Sequence, residues 1–303
     1  RGSQDLPRTV RSGPAQAVQV KIANGRQAMN PAPHPIQPLP DRLAYVVSHS
    51  YPYSSNGYAL RSHHVARALG QAGHDVIVFN RPGRPWQIDG FDAETQVDLD
   101  QTIDGVRYIF LPLDCDASDP VDVQLKHAEA TLTEAFQVFR PGAVLAASNW
   151  QTAEPARRAA TNCGLDFHYE HRGFWEMSRA LQNPAYAAST DYAQDQQRDT
   201  DVARRAKAVF TLNAAMRDEL IRRGVPGAKI DIVPNGMPQI SPRPTHKASR
   251  DLIGCRSQFL LAYIGSLSSY EGVEDLLHLV AIMRRDGCDV AAMIVGSSAA
   301  SGL

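Results

Sequence analysis

Short apolar runs of strand length alternate with segments of helical spacing along most of this chain, a pattern that restricts it to an α/β fold built on a parallel sheet. Leu43–Val47 reads as a strand, Ser50–Asn56 as a loop, and Gly57–Gln71 as a helix with Ala59, Leu60, Val65, Ala66, Ala68 and Leu69 at helical spacing. Gly73 sits where a left-handed helix end prefers glycine, and Asp75–Phe79 is the next strand. Further strands are predicted at Val106–Leu111, Ala143–Ala147, Phe167–His171, Ala208–Leu212 and Lys229–Val233. Helices are predicted at Val121–Phe139, Gln151–Cys163, Tyr192–Ala206 and Ala214–Arg223. This makes seven strands between residues 43 and 233.

The flanks differ. Seven prolines lie in residues 1–40, and because proline lacks an N–H and fixes φ, this stretch is expected to stay out of any sheet or helix interior. Pro234, Pro238, Pro242 and Pro244 mark a second irregular stretch, after which strand, loop, helix and strand resume at Phe259–Ile264, Ser268–Tyr270, Gly272–Arg285 and Asp289–Val295. The expected organisation is therefore a Pro-rich tail or linker at 1–40, a Rossmann-like domain at 41–236, a linker at 237–258, and the start of a second Rossmann-like domain at 259–303. A doubly wound second domain would need more residues than 259–303 supply, so the chain reads as a front part.

Composition removes several function classes. Hydrophobic residues make up 43% and charged residues 21%, which suits a globular core and argues against disorder. The formal charge of −1 lacks the positive excess of a nucleic-acid binder, so no nucleic-acid partner is expected. No run is long enough to span a bilayer, and no secretory leader is visible. Cys115, Cys163, Cys255 and Cys288 are scattered without CxxC spacing, which fits a reducing, cytoplasmic compartment. Arg outnumbers Lys 26 to 5, with Arg pairs at 157/158, 204/205, 222/223 and 284/285. These pairs read as solvated helix faces or as weak peripheral contacts with an anionic leaflet.

GxGxxG, GxxxxGK, HExxH and GxSxG are all absent, which removes dinucleotide, P-loop, zincin and nucleophile-elbow readings. Asp-x-Asp pairs at 98/100, 114/116 and 199/201 are expected to be exposed, and no metal site is assigned. His63 and His64 point apart on their helix and are expected to be solvated or half-buried.

Four loops remain as candidates for chemistry. Ser50–Tyr58 leads into a helix whose N-terminus offers free N–H groups; it is either a plain turn or a cradle for phosphate or sugar. Tyr169-Glu-His-Arg-Gly-Phe-Trp-Glu176 gathers His171 and Arg172 at a strand end. Arg172 suits phosphate and His171 suits proton transfer, while the alternative makes His171 a core residue on one face with Phe167 and Tyr169. Val233-Pro-Asn-Gly236 is a domain-exit turn or a cleft element. Gly265-Ser-Leu-Ser-Ser-Tyr-Glu-Gly272 repeats the glycine loop before a helix, whose N–H groups could hold a diphosphate.

Taken in order, the Gly57 loop, Gly73-His-Asp-Val76, Asp104-Gly-Val-Arg107, Ser148-Asn-Trp150, Tyr169–Glu176, Val209–Arg217, Val233-Pro-Asn-Gly236, Tyr263-Ile-Gly-Ser-Leu267 and Tyr270-Glu-Gly272 resemble the retaining glycosyltransferases of family 4, which have the GT-B fold. The likeness is to the bacterial branch tied to exopolysaccharide and capsule assembly, and it covers residues 43 to about 296. It implies two Rossmann-like domains, a nucleotide-diphosphate sugar donor, a glycan or lipid-linked acceptor, transfer with retention, and no cofactor or metal.

By position, the resemblance makes Arg172 and His171 the candidate catalytic residues. It makes Asn56, Gly57, Asn149, Glu170, Trp175, Asn235, Gly236, Gly265, Ser266 and Glu271 candidate substrate contacts. Asn56 stands where the family has a first loop glycine, and Ser266 and Glu271 stand where most members have a cationic clamp. The family's Glu-x7-Glu motif would lie beyond Leu303. A nucleotide-sugar epimerase of GT-B fold and a non-catalytic glycan-binding or scaffolding chain are the alternatives.

Overall fold

The computed structural model describes residues 35–88, 90–92, 94–236, 253–265, 267 and 271–296. Ser266, Ser268–Tyr270 and most of the expected 237–258 linker lie outside the described residues. The chain divides into two compact units, Arg1–Trp175 with Ala193–Asn235, and Glu176–Tyr192 with Gly236–Leu303.

The first unit carries an eight-stranded sheet. Its strands are β1 (Leu39–Val47), β2 (Asp75–Asn80), β3 (Asp100–Ile103), β4 (Val106–Ile109), β5 (Pro141–Ala147), β6 (Asp166–Glu170), β7 (Ala208–Thr211) and β8 (Ile230–Ile232). Their spatial order is β3-β4-β2-β1-β5-β6-β7-β8, and every pairing is parallel except β3 with β4. The order runs outward both ways from β1, so a topological switch point lies between β1 and β5. The helices along this part of the chain are α1 (Gly57–Gln71), α2 (Val121–Phe139), α3 (Trp150–Cys163), α4 (Trp175–Gln182), α5 (Pro184–Ala187), α6 (Thr190–Arg205) and α7 (Ala214–Arg222), of which α5 and all of α4 after Trp175 fall in the second unit.

Both faces of this sheet are buried, as parallel sheets require. Side chains alternate across the strands, so Ala44 and Val46 enter one core while Tyr45 and Val47 enter the other. One core joins Phe79, Val144, Ala146, Phe167 and Tyr169 to Leu132 and Phe136 of α2, Ala153 and Ala156 of α3, and Val202 and Ala203 of α6. The opposite core joins Tyr45, Val78, Tyr108 and Leu145 to Ala66, Val65 and Leu69 of α1.

The seven predicted strands and the helices between them are present, with three differences. β3 was not expected: four residues, three of them polar, carry no apolar run. It pairs antiparallel through Asp104-Gly105, both at positive φ, which is a hairpin signature. The short helices α4 and α5 lie between β6 and α6, where no element was predicted. The Pro-rich stretch does reach the sheet: β1 begins at Leu39, includes Pro40, and pairs Leu39 with Pro141. A register shift between Leu39 and Leu43 accommodates the proline, because a bulge needs no ladder donor there.

The second unit has its own parallel pair, β9 (Phe259–Ile264) and β10 (Val290–Val295), joined through α8 (Val273–Arg285). Acidic Glu274 and Asp275 in the first turn of α8 and Arg284 and Arg285 in its last turn complement the helix dipole. Among the described residues, no helix is long and apolar enough to cross a membrane.

Candidate functional site

In the first unit the candidate residues gather at the carboxyl ends of β1, β5 and β6, where open α/β sheets hold ligands. Strand alternation sorts the last residues of β6. Glu170 turns toward the face covered by α1, and His171, in register with Phe167 and Tyr169, turns toward the face covered by α6.

On the α1 side, Glu170 is the centre of a buried network. Arg61 of α1 donates from Nε at 3.1 Å and from Nη2 at 2.9 Å to Glu170 Oε1. Arg172 Nη2 donates to Oε2 at 2.9 Å, and the Tyr45 hydroxyl also donates to Oε2. Arg172 also donates from Nη2 to Tyr45 Oη and from Nη1 to Ser62 Oγ at 3.0 Å and to the Tyr58 carbonyl at 3.3 Å. Its backbone N–H reaches Ser148 Oγ at 3.1 Å. The first turns of α1 are thereby tied to β1 and β6. Burial opposes ionisation of Glu170, but Arg172, Tyr45 and Arg61 together hold its carboxyl below the usual carboxylate range. Burial first, and then the Glu170 charge, push the Tyr45 hydroxyl well above its ordinary value, so it remains a neutral donor.

On the other side, His171 is fully buried, with Nε2 3.0 Å from Asp199 Oδ2 of α6. The Tyr169 hydroxyl donates to Asp199 Oδ1 at 2.6 Å, and the Phe174 ring lies 4.8 Å from the His171 ring. The carbonyl of His171 accepts from Thr211 Oγ1 at 3.2 Å, and its N–H donates to Phe210 O at 2.8 Å. Asp199 was expected to be exposed with its Asp-x-Asp partner; it is buried because it has two partners in the interior. His63 was expected to be solvated or half-buried. It is buried instead, with Nδ1 2.6 Å from the Tyr108 hydroxyl and Nε2 3.3 Å from Asp104 Oδ2.

Two of the three candidate asparagines act as helix caps. Asn56 Oδ1 accepts from Ala59 N at 3.0 Å at the start of α1, and Asn149 Oδ1 accepts from Gln151 N at 3.2 Å at the start of α3. Gly57 opens α1 and is exposed; a Cβ built on it would meet nothing within 4 Å, so space lies in front of this helix N-terminus. Trp175 is half-buried at the start of α4, and Asn235 is exposed after β8. In the second unit Gly236, Gly265 and Glu271 are exposed, and Gly265 N donates to Val295 O at 3.0 Å. Ser266 lies outside the described residues.

Composition and spacing did not single out Tyr45, Arg61 and Ser62; Ser148 entered only through the resemblance, and Asp199 only in an Asp-x-Asp pair expected to be exposed. A tyrosine inside an otherwise aliphatic strand was the only available signal, since its hydroxyl needs a partner when buried. Among the described residues no group of three or more His, Cys, Asp or Glu side chains forms a metal site.

Comparison with known proteins agrees with this architecture. Glycogen synthase from Mycobacterium tuberculosis (strain H37Rv) is 26% identical over 266 residues, which is 79% of this chain and 58% of the relative. The same values hold for the protein of strain CDC 1551 / Oshkosh, so the chain spans a little over half the length of the curated relatives it matches. HepE from Anabaena, solved in complex with UDP-glucose, superposes with a TM-score of 0.54 at 14% identity, over 85% of this chain and 61% of that one. The catalytic domain of starch synthase IV from Arabidopsis thaliana, bound to ADP and acarbose, gives 0.57 at 14% identity, over 85% and 69%. WaaG, a glycosyltransferase involved in lipopolysaccharide biosynthesis, gives 0.56 at 13% identity, over 84% and 64%. The fold is that of the GT-B glycosyltransferases. Residues 56–236, more than half of the sequence, match the family described as the glycosyl transferase 4-like domain, from the cap of α1 to the turn after β8, and the chain belongs to that family.

Proposed function

We propose that this chain is part of a glycosyltransferase that moves a sugar, with retention, from a nucleotide-diphosphate sugar to a glycan or lipid-linked acceptor in bacterial cell-surface polysaccharide synthesis. The observation that carries the reading is the family match over residues 56–236, which begins at the α1 N-terminus. At that terminus Gly57 is exposed and a Cβ on it would meet nothing within 4 Å, while Asn56 caps the N–H of Ala59. Such a terminus favours anionic or hydroxyl-rich ligands without a bound metal.

In this reading the Glu170–Arg172–Tyr45–Arg61 network does not meet substrate directly. Arg172 is 8% exposed and His171 is 0% exposed; both Nη atoms of Arg172 are engaged by protein groups, and His171 stands against Asp199. They hold α1, the Ser148-Asn149 loop and the end of β6 in one arrangement, so that Gly57 and Trp175 present a rigid surface. Pre-positioned groups of this kind lower the barrier to transfer by limiting motion in the transition state. Arg172 and His171 are therefore positioning residues, and substrate contact falls to Gly57, Trp175 and the α1 N–H groups. Donor contacts are proposed for Gly236, Gly265, Ser266 and Glu271, with Asn235 at the hinge. Cytoplasmic location, with peripheral contact at the inner leaflet through the Arg pairs, belongs to the same proposal.

Supplying the full-length protein with UDP-, ADP- and GDP-sugars and glycan acceptors tests the reading. The expected product keeps the donor's anomeric configuration by NMR. An inverted product, or no product with any donor, overturns it. One observation favours a scaffolding role instead: Glu271 puts an exposed carboxylate where relatives of the resembled family carry a cation. Glycan binding without nucleotide-sugar binding would select that alternative.

A further inference from the structure

Tyr58 is the second residue of α1, directly after Gly57, and it is 55% exposed in the connection that follows the carboxyl end of β1. Its backbone is fixed. Asn56 caps the N–H of Ala59, and the Tyr58 carbonyl accepts from Ser62 Oγ at 2.8 Å and from Nη1 of the buried Arg172 at 3.3 Å. The loop before it is held as well. The Ser54 N–H donates to the Ser50 carbonyl at 2.9 Å, the Tyr51 ring lies 5.0 Å from the His63 ring, and the Tyr53 hydroxyl accepts from the Asp98 N–H at 2.8 Å.

The side chain is treated differently from the other tyrosines. Tyr45, Tyr53, Tyr108 and Tyr169 bond through their hydroxyls, and Tyr51, Tyr186 and Tyr192 pack against another ring. Tyr58 has neither a hydroxyl partner nor a ring contact among the described residues. The residues that α1 buries are Ala59, Ser62, His63 and Ala66, and Tyr58 is not among them.

We propose that Tyr58 is a specificity-determining residue whose ring receives a pyranose ring of the acceptor glycan. The inference deepens the transferase reading and rests on it only in assigning that sugar to an acceptor. A pyranose has flat C–H faces rimmed by hydroxyls. A phenol matches it, with an apolar face for the C–H bonds and a hydroxyl at its edge for a rim oxygen. Water leaves both apolar faces when they meet. Because Arg172 and Ser62 already hold the backbone, only the two side-chain torsions of Tyr58 remain to be ordered on binding, so little of the contact is lost to entropy. The bond from Arg172 to a first-turn carbonyl then has a use: it fixes the platform on which the sugar rests.

The test is fluorine NMR of the full-length protein carrying 3-fluorotyrosine, with the Tyr58 signal identified by its loss in Tyr58→Phe. Cellotriose, maltotriose and mannotriose are the probes. Sorbitol is the control with hydroxyls but no ring face, and UDP tests for a stacked nucleobase instead. At least one trisaccharide is expected to shift the Tyr58 signal, and sorbitol and UDP are not. For that trisaccharide, Tyr58→Ala is expected to raise the Kd about tenfold, and Tyr58→Phe, which keeps the ring face, about threefold at most. Where it also serves as acceptor, Tyr58→Ala is expected to raise its KM and to leave the KM of the donor unchanged, which a general disturbance of α1 would not do. If Tyr58→Ala does not fold, the wild-type signal with the glycans, sorbitol and UDP decides alone. No shift with any glycan, an equal shift with sorbitol, a shift with UDP in place of the glycans, or an unchanged Kd in Tyr58→Ala overturns the proposal. Glycan binding at Tyr58 without sugar transfer would leave the contact standing and remove the transferase reading. Transfer with an acceptor KM unaltered in Tyr58→Ala would do the reverse.

Discussion

Arg172 and Glu170 lie two residues apart at the end of β6, and their side chains meet at 2.9 Å between β1 and α1 while His171, between them in sequence, faces the other side of the sheet. The pair is closed by Arg61, 109 residues away, and by Tyr45, 125 residues away. Two guanidiniums share one buried carboxylate, so removing it takes the counter-charge from the buried Arg172 and the half-buried Arg61. Glu170→Gln is expected to lower unfolding stability by about 3 kcal/mol. Asp166, like its partner Lys207, is exposed, and Asp166→Asn is expected to cost about 1 kcal/mol at most. Urea unfolding followed by circular dichroism compares the two; equal losses would contradict the assigned role of Glu170.

Asp199 has the matching role on the opposite face, where it accepts from the Tyr169 hydroxyl and stands against His171. Asp199→Ala leaves both groups buried without it and is expected to destabilise by about 2–4 kcal/mol. Asp201→Ala, two residues further along on the exposed side of α6, serves as the comparison and is expected to change stability by less than about 0.5 kcal/mol. Similar effects for the two would show that Asp199 is not holding the strand end.

The pH dependence has a defined sign. His49 titrates near 4 in the folded chain, below its ordinary 6.5, because of burial and then Arg84 and Arg81. Its contribution is fully present above pH 6.5 and is lost as pH falls from there to about 4, since the unfolded chain takes up the proton first. The loss amounts to about 3 kcal/mol at most. His49→Gln is expected to flatten this slope in thermal unfolding measured across the window. Glu170 acts lower: its depressed carboxyl stabilises above the ordinary range near about pH 4.3 and loses that effect as pH falls further. An unchanged slope in His49→Gln would contradict the buried, cation-flanked setting.

The caps at the two candidate helix starts are separable from binding. Asn56→Ala and Asn149→Ala each remove one side-chain acceptor from a helix N-terminus and are expected to cost about 1 kcal/mol. Asn56→Asp restores the acceptor and adds favourable charge at the dipole, so it is expected to recover stability. Thermal unfolding of the three variants checks this, and a neutral Asn56→Ala would contradict the cap.

Much of the first unit was legible because strands buried on both faces must be apolar runs. Leu43–Val47 and Ala143–Ala147 are of this kind, and the helices over Gly57–Gln71 and Val121–Phe139 have the predicted bounds. β3 was not legible, because an edge strand as short and polar as Asp100–Ile103 gains its order from pairing with β4. Pro40 misled because a rule for strand interiors does not govern a bulged first turn of strand. In the site, alternation alone placed His171 with Phe167 and Tyr169. It did not reveal Arg61 or Tyr45, whose roles depend on contacts across more than a hundred residues.

The central claim is that this chain serves sugar transfer from an activated donor. Release of nucleoside diphosphate by the full-length protein, measured across UDP-, ADP- and GDP-sugars with and without a glycan acceptor, tests it most directly. The account predicts release that depends on the acceptor and is matched by sugar appearing on it. Absence of release with every donor, or acceptor-free formation of a new free sugar, would contradict it.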